Sequence, residues 1–258
     1  MIEKLHGDIV FWLQQMGTFV KSCMQENISV TTKTSLSDIV TNIDCEIEEK
    51  FIHYIHTHYP SHSVLGEESA SHFKAYNQGY VWIIDPIDGT LNFVKEQKNF
   101  AIMIALYIDG VGQLGYIFDV MNDTLYYAIK GQGAYCNNHK LNKPDDLDLK
   151  HSLISLSSCF IVQEHSSPYR HVMTNAQGIR MIGSASHSML AIFNNHYHAY
   201  ISAKLRPWDF LAGLVIADEL GIVYSTADGS PLPLWEPTSL VIGTPHIHHE
   251  IISSYKVN

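Results

Sequence analysis

Two carboxylates follow an apolar run in residues 82–93, which read Trp-Ile-Ile-Asp-Pro-Ile-Asp-Gly-Thr-Leu-Asn-Phe. Asp85 and Asp88 lie three residues apart, with Pro86 between them. Two acids held close together at the end of a strand cannot both stay ionised unless a cation compensates their charge. Ligands that are all oxygen favour a hard ion, Mg²⁺ before Zn²⁺. The segment therefore predicts a site for a divalent cation.

An anion site is predicted directly beside the cation site. Gly89 and Thr90 follow Asp88 at once, and Pro86 with Gly89 indicates that the backbone turns just beyond the strand. N–H groups at such a turn, or at the start of a helix, can bind a phosphate. Asp-Pro and Asp-Gly are also common turn dipeptides, and either alone is typical of an ordinary loop. It is the combination of the two sites that favours a function.

A first additional acid, Asp44, lies near the start of a predicted helix. Apolar residues recur every fourth position through residues 43–59, and Thr41 or Asn42 is suited to be the N-cap. An acid in the first turn is favoured by the helix dipole. Asp44 can therefore be interpreted either as a dipole-favoured acid or as part of a catalytic site.

A second acidic segment is Gly66-Glu67-Glu68, which follows a short apolar step at Val64 and Leu65. This segment can be a solvated loop. A glycine before an acidic pair, after a short strand, is also a way to direct one carboxylate inward.

The third acid, Asp209, stands beside Trp208 at a predicted helix start. Pro207 marks that start, apolar residues continue through Leu220, and Gly221 ends the helix. Asp209 is consequently either a helix cap or a member of the acidic site.

Together these segments resemble the inositol monophosphatase family, a group of lithium-sensitive, Mg²⁺-dependent phosphatases. The resemblance covers nearly the whole chain in the family's order, through residues 31–34, 38–44, 66–68, 85–90, 183–185 and 208–209. It implies that Glu67, Asp85 and the Ile87 carbonyl hold one Mg²⁺ ion. By the same resemblance, Asp85, Asp88 and Asp209 hold a second ion, and a third can bind loosely near Glu67.

The resemblance also implies roles around a bound substrate. Thr90 and Asp44 would orient the attacking water, and Glu67 belongs to the catalytic group. The substrate-binding residues implied by the resemblance are Asp88, Gly89, Thr90, Gly183, Ser184, Ala185 and Asp209.

Hydrolysis of a phosphate monoester needs strong catalysis, because enzymes accelerate this reaction by up to ~10²¹-fold. Metal ions about 4 Å apart can stabilise both the attacking and the leaving oxygen. Direct attack of water is the expected route and requires no Ser, Cys or His nucleophile, although the sequence leaves a covalent route open.

The substrate stays open between several phosphorylated metabolites. In animal-type inositol monophosphatases, a glutamate seven residues before the Trp-Asp aspartate contacts an inositol hydroxyl. Ser202 occupies that position here, and Lys204 and Arg206 lie nearby. These cations could meet an additional phosphate. NADP(H), 3′-phosphoadenosine phosphate or a sugar bisphosphate are therefore alternatives to inositol monophosphate.

Composition agrees with a soluble globular enzyme. Of the 258 residues, 46% are hydrophobic, and the net charge of −10 argues against nucleic-acid binding. The cysteines at positions 23, 45, 136 and 159 form no Cys-x-x-Cys pair, which favours reduced thiols and a cytoplasmic protein. No signal peptide or membrane span is predicted. The resemblance implies a homodimer, and an added regulatory role through a protein partner is a further alternative.

The predicted fold is a layered αβαβα sandwich of mixed α+β and α/β character. Residues 1–140 should form an α+β half with two N-terminal helices and a mostly antiparallel sheet that carries most metal ligands. Residues 141–258 should form an α/β half that contributes Asp209 and substrate contacts. Strands are predicted at residues 81–85, 101–108, 112–118, 124–129, 153–156, 180–182, 197–201, 222–224 and 240–243.

Two other segments have simpler interpretations. Residues 29–35 are polar and predict a connecting loop, in which Lys33 matches a basic residue of the family. Residues 246–250, His-Ile-His-His-Glu, could place metal ligands on one helix face, but a solvated terminal helix is the favoured interpretation. His196 and His198 are expected at the surface.

Overall fold

The computed structural model of the chain describes residues 1–25, 28–35, 38–70, 78–158 and 169–256. Within these ranges the chain forms seven helices. They are α1 (Ile2–Cys23), α2 (Asn42–His58), α3 (Thr90–Glu96), α4 (Arg170–Asn175), α5 (Ala185–Phe193), α6 (Pro207–Leu220) and α7 (Pro245–Lys256).

The strands of the same ranges form three sheets. They are β1 (Val30–Ser35), β2 (Asp38–Thr41), β3 (Ser63–Gly66), β4 (Tyr80–Asp88), β5 (Ala101–Ile108), β6 (Val111–Asp119), β7 (Thr124–Ile129), β8 (Gly133–Cys136), β9 (His139–Lys140), β10 (Leu153–Leu156), β11 (Gly178–Arg180), β12 (Ala199–Leu205), β13 (Val223–Ser225) and β14 (Thr238–Gly243). Strands β3 to β9 form a seven-stranded sheet in chain order. Only its β3–β4 pair is parallel, so the predicted, mostly antiparallel sheet is confirmed.

Side chains of β4 alternate between the two faces of the seven-stranded sheet, as the pleat of a strand requires. Trp82 and Ile84 are fully buried in one core cluster with α1 and α2. In that cluster, the ring of Phe51 meets the rings of Trp12 and Trp82 edge-on, at centroid distances of 4.9 and 6.1 Å. Val81 and Ile83 face the opposite cluster, which contains α5 and α6.

A five-stranded sheet completes the layers. Its strand order is β11-β10-β12-β14-β13, with parallel pairs around β10 and antiparallel pairs around β14. Tyr200 and Ile242 pack toward α5 and α6, whereas Ile201 and Val241 pack with α4 and α7. The order helix pair, sheet, helix pair, sheet, helix pair confirms the αβαβα sandwich.

The two large sheets draw on different parts of the chain, residues 63–140 and residues 153–243. Helix α6 follows β12 of the second sheet, yet it packs on β4, β5, β6 and β7 of the first. The two layers therefore share one core, and the division at residues 140 and 141 stays a prediction.

The loop predicted at residues 29–35 is wrong, because this segment forms β1. It pairs antiparallel with β2 in a two-stranded ribbon, with Thr31 opposite Val40 and Thr32 opposite Ile39. These side chains are β-branched and favour extended backbone. Residues 31–34 of β1, which include Lys33, are all polar, so the sequence shows no apolar alternation that would predict a strand.

Two further predictions need correction. The strand predicted at residues 180–182 instead spans Gly178–Arg180, where it pairs with β10. His198 is only 6% exposed and not a surface residue, because its backbone bonds to Leu153 and Thr244 hold it at the inner start of β12. Burial lowers the pKa of His198.

Cys45 and Cys136 are free thiols, and Cys159 lies outside the described residues. None of the helices in the described ranges combines the length and the apolar character that crossing a lipid bilayer requires.

Candidate active site

The end of β4 carries Asp85 and Asp88. The strand was predicted to end at Asp85, but it continues to Asp88 with a slip in its register against β5. Asp85 lies opposite Met103 and Asp88 opposite Ala101, so β4 contains one extra residue between the two pairs. Pro86 lacks an N–H and cannot continue the ladder, which explains the irregularity at this point. Both acids are buried, at 1% and 8% exposure.

Asp85 lies at the electrostatic centre of the site. Burial raises the pKa of Asp85 well above its usual range, and the negative charges of Glu67, Asp88 and Asp209 raise it further. One carboxylate oxygen, Oδ1, accepts the Ile87 N–H at 3.0 Å. The four acids therefore converge closely enough to oppose one another's ionisation.

Asp88 is held by the first turn of α5, almost a hundred residues away in the chain. Its Oδ2 accepts the Ser184 hydroxyl at 2.5 Å, the Ser186 hydroxyl at 2.5 Å and the Ser186 N–H at 2.7 Å. Among the described residues, its Oδ1 accepts a single hydrogen bond, from the Ala185 N–H at 3.2 Å. Three donors saturate Oδ2, so Oδ1 is the oxygen with capacity for another partner.

Asp209 closes the first turn of α6. Its Oδ2 accepts the Arg206 N–H at 2.7 Å, so it is the cap that the sequence allowed. Burial first, and then the charge of Glu67, raise the pKa of Asp209 well above its usual range. A helix cap does not require other carboxylates close by, so the proximity of Glu67 and Asp88 is not explained by capping.

Asp85, Asp88 and Asp209 thus share one arrangement. In each, a backbone N–H of a nearby turn fixes one or both oxygens and thereby the side-chain direction. Within the described residues, no hydrogen bond reaches Oδ2 of Asp85 or Oδ1 of Asp209. The carboxylates are pre-oriented, and their mutual repulsion is the condition that a divalent cation relieves.

Asp44 connects the start of α2 to the turn after β4. Its Oδ2 accepts the N–H and the hydroxyl of Thr41, which completes a capping box. Its Oδ1 lies 3.2 Å from the Thr90 hydroxyl, which also lies 3.0 Å from the Ile87 carbonyl oxygen. Burial raises the pKa of Asp44 to about 6, although the bonds from Thr41 lower it. Asp44 is thus an acid in the first turn of α2 that also contacts the Thr90 hydroxyl.

Gly89 makes the turn into α3 possible. Its φ of +90° is left-handed, and a Cβ would lie 3.0 Å from the Asn99 carbonyl oxygen and 3.1 Å from Ser184 Cβ. Only glycine accepts both conditions without strain. Thr90 then begins α3, as the predicted turn requires.

Glu48 of α2 supports the turn that carries Glu67. Its carboxylate accepts the Glu68 N–H at 2.7 Å and the Ser69 N–H at 2.8 Å, and it is only 2% exposed. A Cβ at Gly66 would lie 2.2 Å from the Glu48 carboxyl carbon. The glycine before the acidic pair is therefore needed because a buried carboxylate lies directly against it.

Lys33 of β1 supplies an internal cation. Its ammonium group lies 2.8 Å from Glu67 Oε1 and 2.6 Å from Glu68 Oε1. Burial raises the pKa of Glu68 to about 7, against the lowering effect of Lys33. In the described ranges, no three His, Cys, Asp or Glu side chains already stand as a metal cage. Glu67 is instead turned to Lys33.

Two adjoining cavities open beside these acids. One, of about 360 Å³, is lined by Asp88, Gly183, Ser184, Ala185, Ser202 and Asp209, among others. The second, of about 430 Å³, is lined by Lys33, Glu67, Ala70, Lys204, Arg206, Trp208 and Asp209. Asp209 and Lys204 border both. Ser202 lies in the wall of the first cavity and is only 1% exposed. The wall therefore has a buried hydroxyl at the position where animal-type family members have a glutamate.

A family model described as the inositol monophosphatase family matches residues 9–256 of the chain. The chain belongs to this family. It is 36% identical over 247 residues to the inositol-1-monophosphatase of Bacillus subtilis, covering 95% of this chain and 93% of that protein. It is also 32% identical over 197 residues to the Nus factor SuhB of Salmonella typhimurium, covering 75% and 73%.

Solved structures of inositol monophosphatases match the fold. SaIMPase-II bound to 2′AMP is 36% identical with a TM-score of 0.90, covering 98% of this chain and 94% of that one. An IMPase/NADP phosphatase complexed with Mg²⁺ and phosphate is 26% identical with a TM-score of 0.92, covering 100% and 97%. The inositol monophosphatase fold is confirmed, and the protein is a phosphatase.

Several residues that shape the site of this family member were not predicted from the sequence. Glu48, Ser186 and His187 are not part of any motif that the sequence displays. Asn92, whose amide donates to the carbonyls of Asn99 and Ile182, joins α3 to the segment before α5. The hydroxyl-rich start of α5 was the available signal, but its partner Asp88 is distant in the chain.

Proposed function

We propose that the protein is a Mg²⁺-dependent phosphomonoesterase that hydrolyses inositol monophosphate or a similar small phosphorylated metabolite through attack by water. The observation that carries this proposal is the convergence of pre-oriented, buried carboxylates that raise one another's pKa beside a hydroxyl-lined cavity. Membership of the family supports the same activity.

The proposed ligands of the first ion are Glu67, Asp85 and the Ile87 carbonyl, and those of the second are Asp85, Asp88 and Asp209. The donor set fits Mg²⁺, because all of the donors are oxygens. Lys33 must release Glu67 for this arrangement to form. Bound Mg²⁺ would acidify water and neutralise the phosphate.

Thr90 and Asp44 are proposed to orient the attacking water. When the Thr90 hydroxyl donates to Asp44 Oδ1, its oxygen lone pairs are left to accept a hydrogen from water. This fixes the direction of the water relative to the phosphate. Because Asp44 is buried and tied to Thr41, the pair can hold that geometry without rearrangement.

The phosphate and its ester group are proposed to occupy the cavity between β4 and α5. The N–H groups of Gly89 and Thr90 would bind the phosphate, together with Asp88 and Asp209. Gly183, Ser184 and Ala185 would contact the ester group. These positions border one cavity or the turn beside it.

The residues of the two cavity walls bear on which alcohol is esterified to the phosphate. Ser202 offers one hydroxyl and no charge, which suits a polyol without strongly selecting it. Lys204 and Arg206 border the adjoining cavity and suit a second phosphate. Hydrolysis of NADP(H) or a nucleoside bisphosphate is thus the alternative, and the 2′AMP and NADP phosphatase relatives favour its inclusion.

A substrate panel tests the proposal. Initial rates should be measured in Mg²⁺ with inositol 1-phosphate, 2′-AMP, NADP⁺, 3′-phosphoadenosine 5′-phosphate and fructose 1,6-bisphosphate. Ser202→Glu should shift selectivity toward inositol 1-phosphate and away from NADP⁺, because a carboxylate repels the second phosphate. Asp85→Asn should be inactive on every ester. Equal rates for Asp85→Asn and the unaltered protein would contradict the proposal.

Family membership also supports three lesser inferences. We infer a homodimer, inhibition by millimolar lithium, and a cytoplasmic location. Gel filtration that shows only a 29.1 kDa species would contradict the first. A regulatory role is a second candidate, favoured by similarity to SuhB. In this role the protein would act by binding a protein partner. The test is whether the inactive Asp85→Asn protein still binds that partner.

A further inference from the structure

His187 joins two carboxylates at the ends of β4 and β6, on the same side of the seven-stranded sheet. Its Nδ1 lies 3.4 Å from the Ser184 hydroxyl and 3.3 Å from the Ser186 hydroxyl. Its Nε2 lies 3.4 Å from Asp119 Oδ2. The side chains of His187 and Asp119 are only 12% and 11% exposed. The imidazole therefore links the serines that hold Asp88 to a second acid.

The sheet register explains why one helix turn reaches both acids. Ala101 of β5 lies opposite Asp88 of β4 on one side and opposite Asp119 of β6 on the other. The two acids are therefore two strand spacings apart, roughly 9.5 Å. The first turn of α5 spans this gap, with its serines on Asp88 and its imidazole on Asp119.

Hydrogen accounting fixes the direction of the bond to Asp119, whereas the two serine hydroxyls have only one hydrogen each to share between Asp88 and His187. An ionised carboxylate only accepts, so the His187 Nε2 that faces Asp119 must carry a hydrogen. Asn122 holds Asp119 from its other side, with its amide 2.8 Å from Oδ2. Each serine has one hydroxyl hydrogen, and both hydroxyls lie 2.5 Å from Asp88. The serine oxygens are thus held between a carboxylate and an imidazole.

We propose that His187 is a positioning residue for Asp88, which acts through Ser184 and Ser186 and is anchored by Asp119. The packing of Ala185 and Met189 in the core holds α5 as a whole, whereas the polar contacts to Asp88 and Asp119 set the position of its first turn. Without the imidazole, the contact with Asp119 is lost, and the three donors on Asp88 Oδ2, and hence the direction of Oδ1, are less tightly fixed. This assignment rests on the proposed function only where it concerns metal and substrate.

The test compares His187→Phe with His187→Gln in the full chain. Phenylalanine keeps a ring but removes both polar contacts, whereas the glutamine amide can still reach toward Asp119. His196→Phe is the matched control, because His196 is an exposed histidine that lines a surface cavity together with His187 and Asp119. Mg²⁺ affinity is measured by calorimetry without substrate, and kcat and KM are measured separately.

We expect His187→Phe to weaken Mg²⁺ binding and lower kcat by about tenfold or more, the usual effect of losing a residue that orients a ligand. Glutamine should restore most of the loss, His196→Phe should change neither, and KM should change less than kcat. Adding Asp119→Asn to His187→Phe should cost little more than His187→Phe alone, because both act through one contact.

Amide hydrogen exchange provides a readout that needs neither metal nor activity. The amides of Ala185 and Ser186 donate to Asp88, so His187→Phe should accelerate their exchange and leave the end of α5 unchanged. Unchanged exchange at both amides, or an equal loss for phenylalanine and glutamine, would overturn the assignment. If the unaltered protein hydrolyses no phosphate ester, the proposed function fails while exchange still decides the role of His187.

Discussion

Glu48→Gln offers a demanding prediction, because this buried acid is not expected to touch metal or substrate. Its two oxygens accept the N–H groups of Glu68 and Ser69, at 2.7 and 2.8 Å. Glutamine keeps the size but retains one acceptor, so one N–H loses its partner and faces an NH₂ group. A hydrogen bond to a charged group contributes about 1.5–3 kcal/mol, so we expect a loss of about 2 kcal/mol.

That loss should be visible in both stability and metal binding. For a chain of this size, about 2 kcal/mol corresponds to a fall in Tm of about 4–8 °C. Because the disturbed turn carries Glu67, the affinity for Mg²⁺ should also fall, by about tenfold. Urea and thermal unfolding in a chelator give the first value, and calorimetric titration with Mg²⁺ gives the second.

The matched control is Glu49→Gln, since Glu49 is the exposed neighbour on the same helix. It should behave as the unaltered protein in both assays. Gly66→Ala should reproduce the Glu48 effect, because the added methyl group would displace the same carboxylate. A Glu48→Gln protein with unchanged Tm and unchanged Mg²⁺ affinity would refute the reasoning.

Four further outcomes are expected. Asp85→Asn should raise the Tm of the metal-free protein, since it removes a buried charge whose neighbours raise its pKa, and abolish stabilisation by Mg²⁺. Asp88→Asn should instead lower the Tm, because asparagine keeps one acceptor oxygen for the four donors that reach the carboxylate. The Trp82 indole donates to His62 Nδ1 at 3.0 Å, and burial lowers the pKa of His62. The contribution of neutral His62 to the free energy of unfolding is therefore complete above the unfolded pKa of about 6.5 and is lost as the pH falls. Between pH 7.5 and 5, the His62→Phe protein should consequently lose less stability than the unaltered protein. Lithium in the millimolar range should inhibit phosphate release, and an unaffected rate would contradict that inference.

Local signals made much of the fold predictable. Helix α6 begins at Pro207 and ends before Gly221 as expected, because both residues act on their own backbone. Helix α2 has the predicted cap at Thr41. By contrast, β1 was missed because a polar, β-branched strand on a two-stranded ribbon lacks the alternation that marks a half-buried strand.

The acids of the site were recognisable from the sequence, but their partners were not. Spacing along the chain does not reveal that Ser186 lies on Asp88, 98 residues away, or that Lys33 lies on Glu67. Such contacts depend on how two layers of the sandwich pack. The role of Asp88 in holding the first turn of α5 depends on the same packing.

The most direct test of the central claim is the position of bound cations. Crystals grown with Mn²⁺ in place of Mg²⁺ should be examined by anomalous scattering. We expect peaks within about 2.5 Å of carboxylate oxygens of Asp85, shared with Glu67 on one side and with Asp88 and Asp209 on the other, and Lys33 turned away from Glu67. Saturating Mn²⁺ with no peak between these acids, and Lys33 still bound to Glu67, would contradict the account.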